Sequence, residues 1–131
     1  MKKRILVVDD ESDFTTLLKY SLESDGYYEV EQENDPTRAL ATAREFDPDL
    51  CILDVMMPDL DGSDVAARLR EDIRFAHMPI IFMTALVLGT EVPAGMNDRG
   101  GQTYLPKSTP IDKLIDCIEE KMTRPVPLAA H

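Results

Sequence analysis

Hydrophobic and polar positions follow two alternating periods along the chain, with strand and helix signals exchanging five times. Ile5-Leu6-Val7-Val8 is a short unbroken apolar run rich in β-branched residues, the pattern of a strand covered on both faces. Phe14, Leu17, Leu18 and Leu22 then share one side of a predicted helix, capped by Ser12 and stopped by Gly26. Tyr28-Glu29-Val30-Glu31-Gln32 alternates and predicts a more exposed edge strand. Asp35-Pro36 signals another helix start, with the acid as cap, proline in the first turn, and Leu40, Ala43 and Phe46 as the apolar side.

The alternation continues. Leu50-Cys51-Ile52-Leu53 reads as a second buried strand ending at Asp54, followed by a helix from Ser63 to Arg70 that turns Val65, Ala66 and Leu69 inward. Pro79 opens a third apolar strand, Ile80-Ile81-Phe82-Met83, ending at Thr84. The stretch from Leu86 to Gly101 holds Gly89, Pro93, Gly95, Gly100 and Gly101, too many breakers for a robust long helix. It predicts a short helix capped by Thr90, or a mobile substitute. Thr103-Tyr104-Leu105 reads as the last strand, ending at Lys107, and Thr109-Pro110 starts a helix with Ile111, Leu114, Ile115, Ile118 and Met122 at helical spacing. Pro125 and Pro127 mark 123–131 as a flexible tail or linker stub beyond a domain spanning 1–122.

Five such units predict a parallel sheet between two layers of helices. Ligands of these sheets bind beyond the carboxyl ends of the strands. Those ends are where the chemistry gathers, at Asp9-Asp10, Asp54, Thr84 and Lys107. Each residue alone has an ordinary explanation as a helix-start acid, a turn acid, a cap or a solvated amine. Their shared edge changes the reading. Two carboxylates ~5 Å apart at an effective dielectric of ~20 repel by about 3 kcal/mol. Such a cluster calls for a cation, and an all-oxygen donor set without His or Cys points to Mg²⁺ or Mn²⁺. With that ion and Lys107 the formal charges of Asp9, Asp10 and Asp54 cancel. The pocket then suits a phosphoryl group attacked by Asp54, with the ion, the Lys107 ammonium and the Thr84 hydroxyl as partners for its oxygens.

Composition narrows the classes. The 131 residues suit one domain, with 44% hydrophobic and 30% charged residues. No apolar run approaches the ~18–20 residues of a membrane span, and the run after Met1-Lys2-Lys3-Arg4 is too short for a signal peptide, so a cytoplasmic protein is expected. The net charge of −11 argues against direct nucleic-acid binding by this domain. Cys51 and Cys117 read as buried free thiols, while His77 and His131 carry no assigned role.

Four segments carry a family resemblance. Ile5-Leu6-Val7-Val8-Asp9-Asp10-Glu11 resembles the opening of bacterial response-regulator receiver domains of two-component systems. Leu53-Asp54-Val55-Met56-Met57-Pro58-Asp59-Leu60-Asp61-Gly62 looks like their phosphorylation loop. Ile80 to Ala85 and Gly100 to Lys107 look like their later signatures, and the match covers roughly residues 4 to 122. The resemblance implies a flavodoxin-like, doubly wound α/β fold with five parallel strands in the order 2-1-3-4-5. It implies that Asp54 accepts phosphate from a sensor histidine kinase or phosphotransfer protein, and that Asp10 ligates Mg²⁺. Asp9 would act through water or share the site, with the Met56 main-chain carbonyl as a further ligand. Thr84 and Tyr104 would form the switch, the hydroxyl moving to the phosphate as the ring turns inward. Output would pass to a protein target or a C-terminal domain, and homodimer formation stays open.

The chain departs from the family in three places. Ser108 stands where proline usually follows the lysine, so a trans bond and a somewhat displaced Lys107 are expected. The 86–101 segment is irregular. Met56 and Leu86, which would border the path of a hydrolytic water, are both apolar, so self-dephosphorylation should be slow. A flavin mononucleotide carrier is disfavoured because Asp9-Asp10-Glu11 would repel its phosphate. A haloacid-dehalogenase-like phosphatase lacks its second acid, since Met56 holds that position, and no P-loop is present. The remaining rival is a receiver-like docking or dimerisation module that works without phosphorylation.

Overall fold

The computed structural model describes residues 2–85 and 103–123. In chain order these form β1 (Lys3–Val8), α1 (Ser12–Glu23), β2 (Tyr28–Glu33), α2 (Ala39–Phe46), β3 (Leu50–Asp54), α3 (Gly62–Glu71), β4 (Ile80–Thr84), β5 (Thr103–Pro106) and α4 (Ile111–Thr123). The five strands make one sheet in the order β2-β1-β3-β4-β5, with every neighbouring pair parallel. This is the doubly wound α/β arrangement expected from the sequence.

The unbroken apolar runs follow from helices on both faces, because successive strand residues point to opposite sides. Leu6, Val8, Cys51, Leu53 and Phe82 pack with Ala43 of α2 and Val65 and Leu69 of α3. Ile5, Val7, Ile52, Ile81 and Met83 face the other way, onto Leu18 and Leu22 of α1 and Leu114 and Ile118 of α4. β2 alternates because it is an edge strand, with Tyr28 and Val30 buried and Glu29 and Glu31 exposed.

Local signals fared unevenly. Ser12 does not cap α1; it is the first helical residue, and Glu11 occupies the cap without a side-chain capping bond. The Glu11 N–H is instead taken by Asp9 Oδ1 at 2.9 Å, so an acid two residues upstream shapes the turn. Leu17 lies 61% exposed, because the inward face of the helix is centred on Thr15, Leu18 and Leu22. Gly26 does adopt the left-handed conformation after α1, with φ 81°. Asp35 caps as expected, accepting from the Thr37 N–H at 3.0 Å, but Pro36 opens a 3-10 turn and the α-helix begins at Ala39. Asp61 caps α3 by accepting from the Asp64 N–H at 3.0 Å. Both thiols are free, Cys51 buried and Cys117 half-buried. Expectations for 86–101 and for the tail beyond 123 lie outside the described residues.

The outer edge of β2 is covered from α1. Lys19 Nζ donates to the Val30 carbonyl at 2.7 Å, and Glu23 Oε2 accepts the Val30 N–H at 2.9 Å. The two side chains bond each other at 3.1 Å, so one helical pair satisfies both main-chain groups of an edge residue. Glu23→Ala is expected to cost about 1–2 kcal/mol in urea unfolding, the penalty for an abandoned half-buried N–H. A cost no larger than that of Glu29→Ala on the exposed face would refute this role.

Candidate functional site

Parallel strands place all their carboxyl ends on one rim. Asp9 directly follows β1, Asp54 closes β3, Thr84 closes β4, and Lys107 directly follows β5. One oxygen from each of Asp9, Asp10 and Asp54 lies within 4.8 Å of the others. Asp9 and Asp54 are buried, at 1% and 6% exposure, and Asp10 is exposed. Lys107 Nζ stands 2.6 Å from Asp9 Oδ2, 2.7 Å from Glu11 Oε1 and 3.6 Å from Asp54 Oδ1. The Phe14 ring covers the same amine, its centroid 4.7 Å away.

Main-chain contacts fix these ends. The Lys107 N–H donates to the Thr84 carbonyl at 2.8 Å, tying the turn after β5 to the last residue of β4. The Gly62 N–H donates to the Val55 carbonyl at 2.8 Å, bringing the start of α3 against the loop after Asp54. A Cβ at Gly62 would run into the Asp54 carbonyl oxygen, so this approach requires glycine. No cis peptide bond occurs among the described residues, and Lys107 still reaches the cluster.

The electrostatics are strained. Burial and then the Asp9 charge push the Asp54 carboxyl up to about 6, against the pull of Lys107 and the Met56 N–H. Burial likewise raises Asp9, opposed by Lys107 and the Glu11 N–H. Burial disfavours the Lys107 ammonium, but its bonds to Asp9 and Glu11 outweigh that and raise its pKa. Asp9 Oδ2 is buried, and its close partner is the Lys107 ammonium at 2.6 Å, a contact that falls outside ideal hydrogen-bond geometry. Crowded hard oxygens with surplus negative charge suit a divalent cation such as Mg²⁺.

Residues 5–119 match the family model described as response regulator receiver domain. The chain belongs to this family of receiver domains. It is 45% identical over 113 residues to the alkaline phosphatase synthesis transcriptional regulatory protein PhoP of Bacillus subtilis, covering 82% of this chain and 45% of that protein. It is 35% identical over 121 residues to the DNA-binding dual master transcriptional regulator RpaA of Synechocystis, covering 92% of this chain and 49% of that one. The chain thus spans about half the length of these relatives. A response regulator structure from Chloroflexus aurantiacus superposes with TM-score 0.79 at 27% identity, covering 95% of this chain and all of that one. The receiver domain of the hybrid histidine kinase CckA superposes with TM-score 0.74 at 29% identity, covering 92% and 99%. These receiver domains are signalling modules of two-component systems, with phosphorylation as their general switch.

In this receiver domain Asp9, Asp10, Asp54 and Lys107 come together as the sequence pattern anticipated. Thr84 is half-buried at the same rim. Met56 is 64% exposed, and its N–H binds Asp54. Tyr104 lies on β5, three residues before Lys107, half-buried and stacked on Phe82 with centroids 5.0 Å apart and planes 16° apart. Sequence reasoning missed Glu11, Phe14 and Gly62. The unbroken acid triplet was the available signal for Glu11, but nothing in it revealed the bond to an amine 96 positions away.

An acid whose pKa is higher folded than unfolded binds its proton more tightly in the native state. Ionised Asp54 therefore destabilises the metal-free fold near neutrality, and the penalty fades as pH falls through about 6 toward the ordinary 3.8. Metal-free Asp54→Asn should be about 1–2 kcal/mol more stable than wild type near neutral pH, after allowance for residual solvent screening. The gain should shrink towards acid pH. Denaturant unfolding in chelator tests this, and a gain that grows on acidification would contradict it.

Proposed function

We propose that this domain is a phosphorylation-dependent switch in which Asp54 accepts a phosphoryl group from a histidine kinase or phosphotransfer protein. The Asp54 carboxylate oxygen forms a bond to phosphorus as the bond to the donor imidazole nitrogen breaks, and the electron pair returns to the imidazole. The observation that carries this reading is a buried Asp54 at the rim with the Lys107 amine 3.6 Å away and two further acids beside it. Asp10, Asp9, Asp54 and the main-chain carbonyl of Met56 would hold Mg²⁺ (or Mn²⁺). The ion supplies charge neutralisation to the anionic oxygens when bound.

Lys107 neutralises a phosphoryl oxygen, and the Thr84 hydroxyl donates to another. Tyr104 reports the change at the surface, where partner binding alters. PhoP and RpaA are transcriptional regulators of twice this length, which supports an output carried by a C-terminal domain or a separate protein target. The −11 charge keeps the receiver itself away from nucleic acid. The 1–122 domain and 123–131 linker belong to the same proposal, as does a cytoplasmic location; no helix of the described residues is long and apolar enough to cross a membrane.

Intact-mass measurement after incubation with a small phosphodonor and Mg²⁺ tests the reading. Wild type should gain one phosphoryl mass, lose that gain in chelator, and differ from Asp54→Asn, which should gain none. Phosphorylation of the variant would remove Asp54 from the mechanism and favour docking without phosphorylation.

The lifetime of the product follows from Met56, which is apolar and can orient no water through its side chain. The purified phosphoprotein should persist for hours in Mg²⁺ without a phosphatase, and Met56→Asn should shorten its lifetime severalfold. Loss within seconds from wild type would overturn this.

A further inference from the structure

Lys107 is held closer to Asp9 and Glu11 than to the proposed phosphoacceptor. Its amine lies within 2.7 Å of Asp9 and Glu11, packs on the Phe14 ring, and stands 3.6 Å from Asp54. Asp9 follows the sheet strand, whereas Glu11 and Phe14 belong to the turn and first coil of α1. Glu11 is 62% exposed and, among the described residues, is anchored through its main chain and this ion pair, so it can release the amine at little cost. An anion arriving at Asp54 competes for the same ammonium.

We propose that Glu11, assisted by Phe14, is a positioning residue that draws Lys107 closer to Asp9 and Glu11 than to Asp54 until an incoming phosphoryl group displaces it. The inference rests on the phosphoacceptor reading of Asp54 and adds a device from α1 to it. In the resting protein the parked lysine pairs most closely with Asp9 and Glu11 and keeps a longer ion pair, 3.6 Å, with Asp54. When the anion takes the lysine, Glu11 returns to solvent and the Phe14 ring loses its cation. The parked state therefore sets how readily the site accepts a tetrahedral anion, and how strongly engaging the site disturbs the start of α1.

The test uses the full chain and a phosphoryl mimic, beryllofluoride, with Mg²⁺. In metal-free wild type, the Lys107 ε-methylene protons should show an upfield ring-current displacement from Phe14 by NMR. Beryllofluoride with Mg²⁺ should abolish it. Glu11→Gln should weaken that displacement before any ligand is added and bind beryllofluoride about three- to fivefold more tightly, the scale of one half-exposed ion pair. Asp13→Asn removes one negative charge from the same exposed groove without touching Lys107, and should alter neither readout. Phe14→Leu should abolish the displacement and tighten binding by a smaller factor.

Equal tightening in Glu11→Gln and Asp13→Asn would overturn the proposal in favour of a general field effect. An undiminished ring-current displacement in Glu11→Gln, with wild type binding the mimic normally, would remove the parking role and leave the phosphoacceptor reading intact. If wild type shows the parked lysine but binds no beryllofluoride, the phosphoacceptor reading itself falls, and the competition with it.

Discussion

Negative charge crowded into a half-dry rim is the constraint around which this domain is arranged. Asp9 and Asp54 are buried, Asp10 sits beside them, and the Lys107 ammonium pairs with both buried acids. A buried carboxylate is tolerable only with compensation, since removing it from water costs several kcal/mol. The compensation is incomplete here: Asp54 is held at about 6, and Asp9 keeps an oxygen without a directed hydrogen bond. The site is thus poised to gain from a divalent cation and from any event that redistributes Lys107. Fold stability and chemical readiness draw on the same residues with opposite sign.

The sheet makes the crowding possible. Parallel pairing of β1 with β3, β3 with β4 and β4 with β5 delivers four chain ends to one edge, and the apolar residues behind them hold the strands in register. Hydrophobic burial on both faces opposes the local penalty at the rim. Two helix starts complete the arrangement. Gly62 lets α3 close against the Asp54 main chain, and Asp9 turns the chain into α1 by capping the Glu11 N–H. The phosphoacceptor candidate is therefore fixed by main-chain contacts, whereas Lys107 reaches it on a flexible stem.

Much of this was legible in the sequence because it depends on periodicity and chain direction. Unbroken runs such as Ile5 to Val8 and Ile80 to Met83 announce strands covered on both faces, and parallel strands put the residue after each run on a common edge. Asp9, Asp54, Thr84 and Lys107 follow from that logic. What stayed hidden depends on side-chain direction over long sequence separation. Leu17 has the composition of a core residue but sits one helical step off the buried face. Ser12 has the chemistry of a cap, yet Asp9 had already taken the relevant turn. Glu11 belongs to the acid triplet by sequence and to the lysine by geometry, and only the folded chain separates those roles.

The proposed switch residues lie on β4 and β5, between the rim and the surface. Phe82 pairs in register with Tyr104, and Thr84 with Pro106, so the switch candidates sit two rungs apart on one parallel ladder. Lys107 is joined to this ladder by its N–H to the Thr84 carbonyl, three residues beyond Tyr104. Tyr104 also borders a cleft of about 250 Å³ shared with Val55, Met56, Met57 and Phe82, which reaches back to the loop after Asp54. A ligand at the rim can shift this region only by the difference between its contacts in the two arrangements. In the proposed switch that difference comes from Lys107 and Thr84, whereas Asp54 closes a sheet strand and Asp9 directly follows one. An amine that exchanges Glu11 and Phe14 for an anion supplies such a difference, and it does so at both ends at once: it draws on β5 and releases α1.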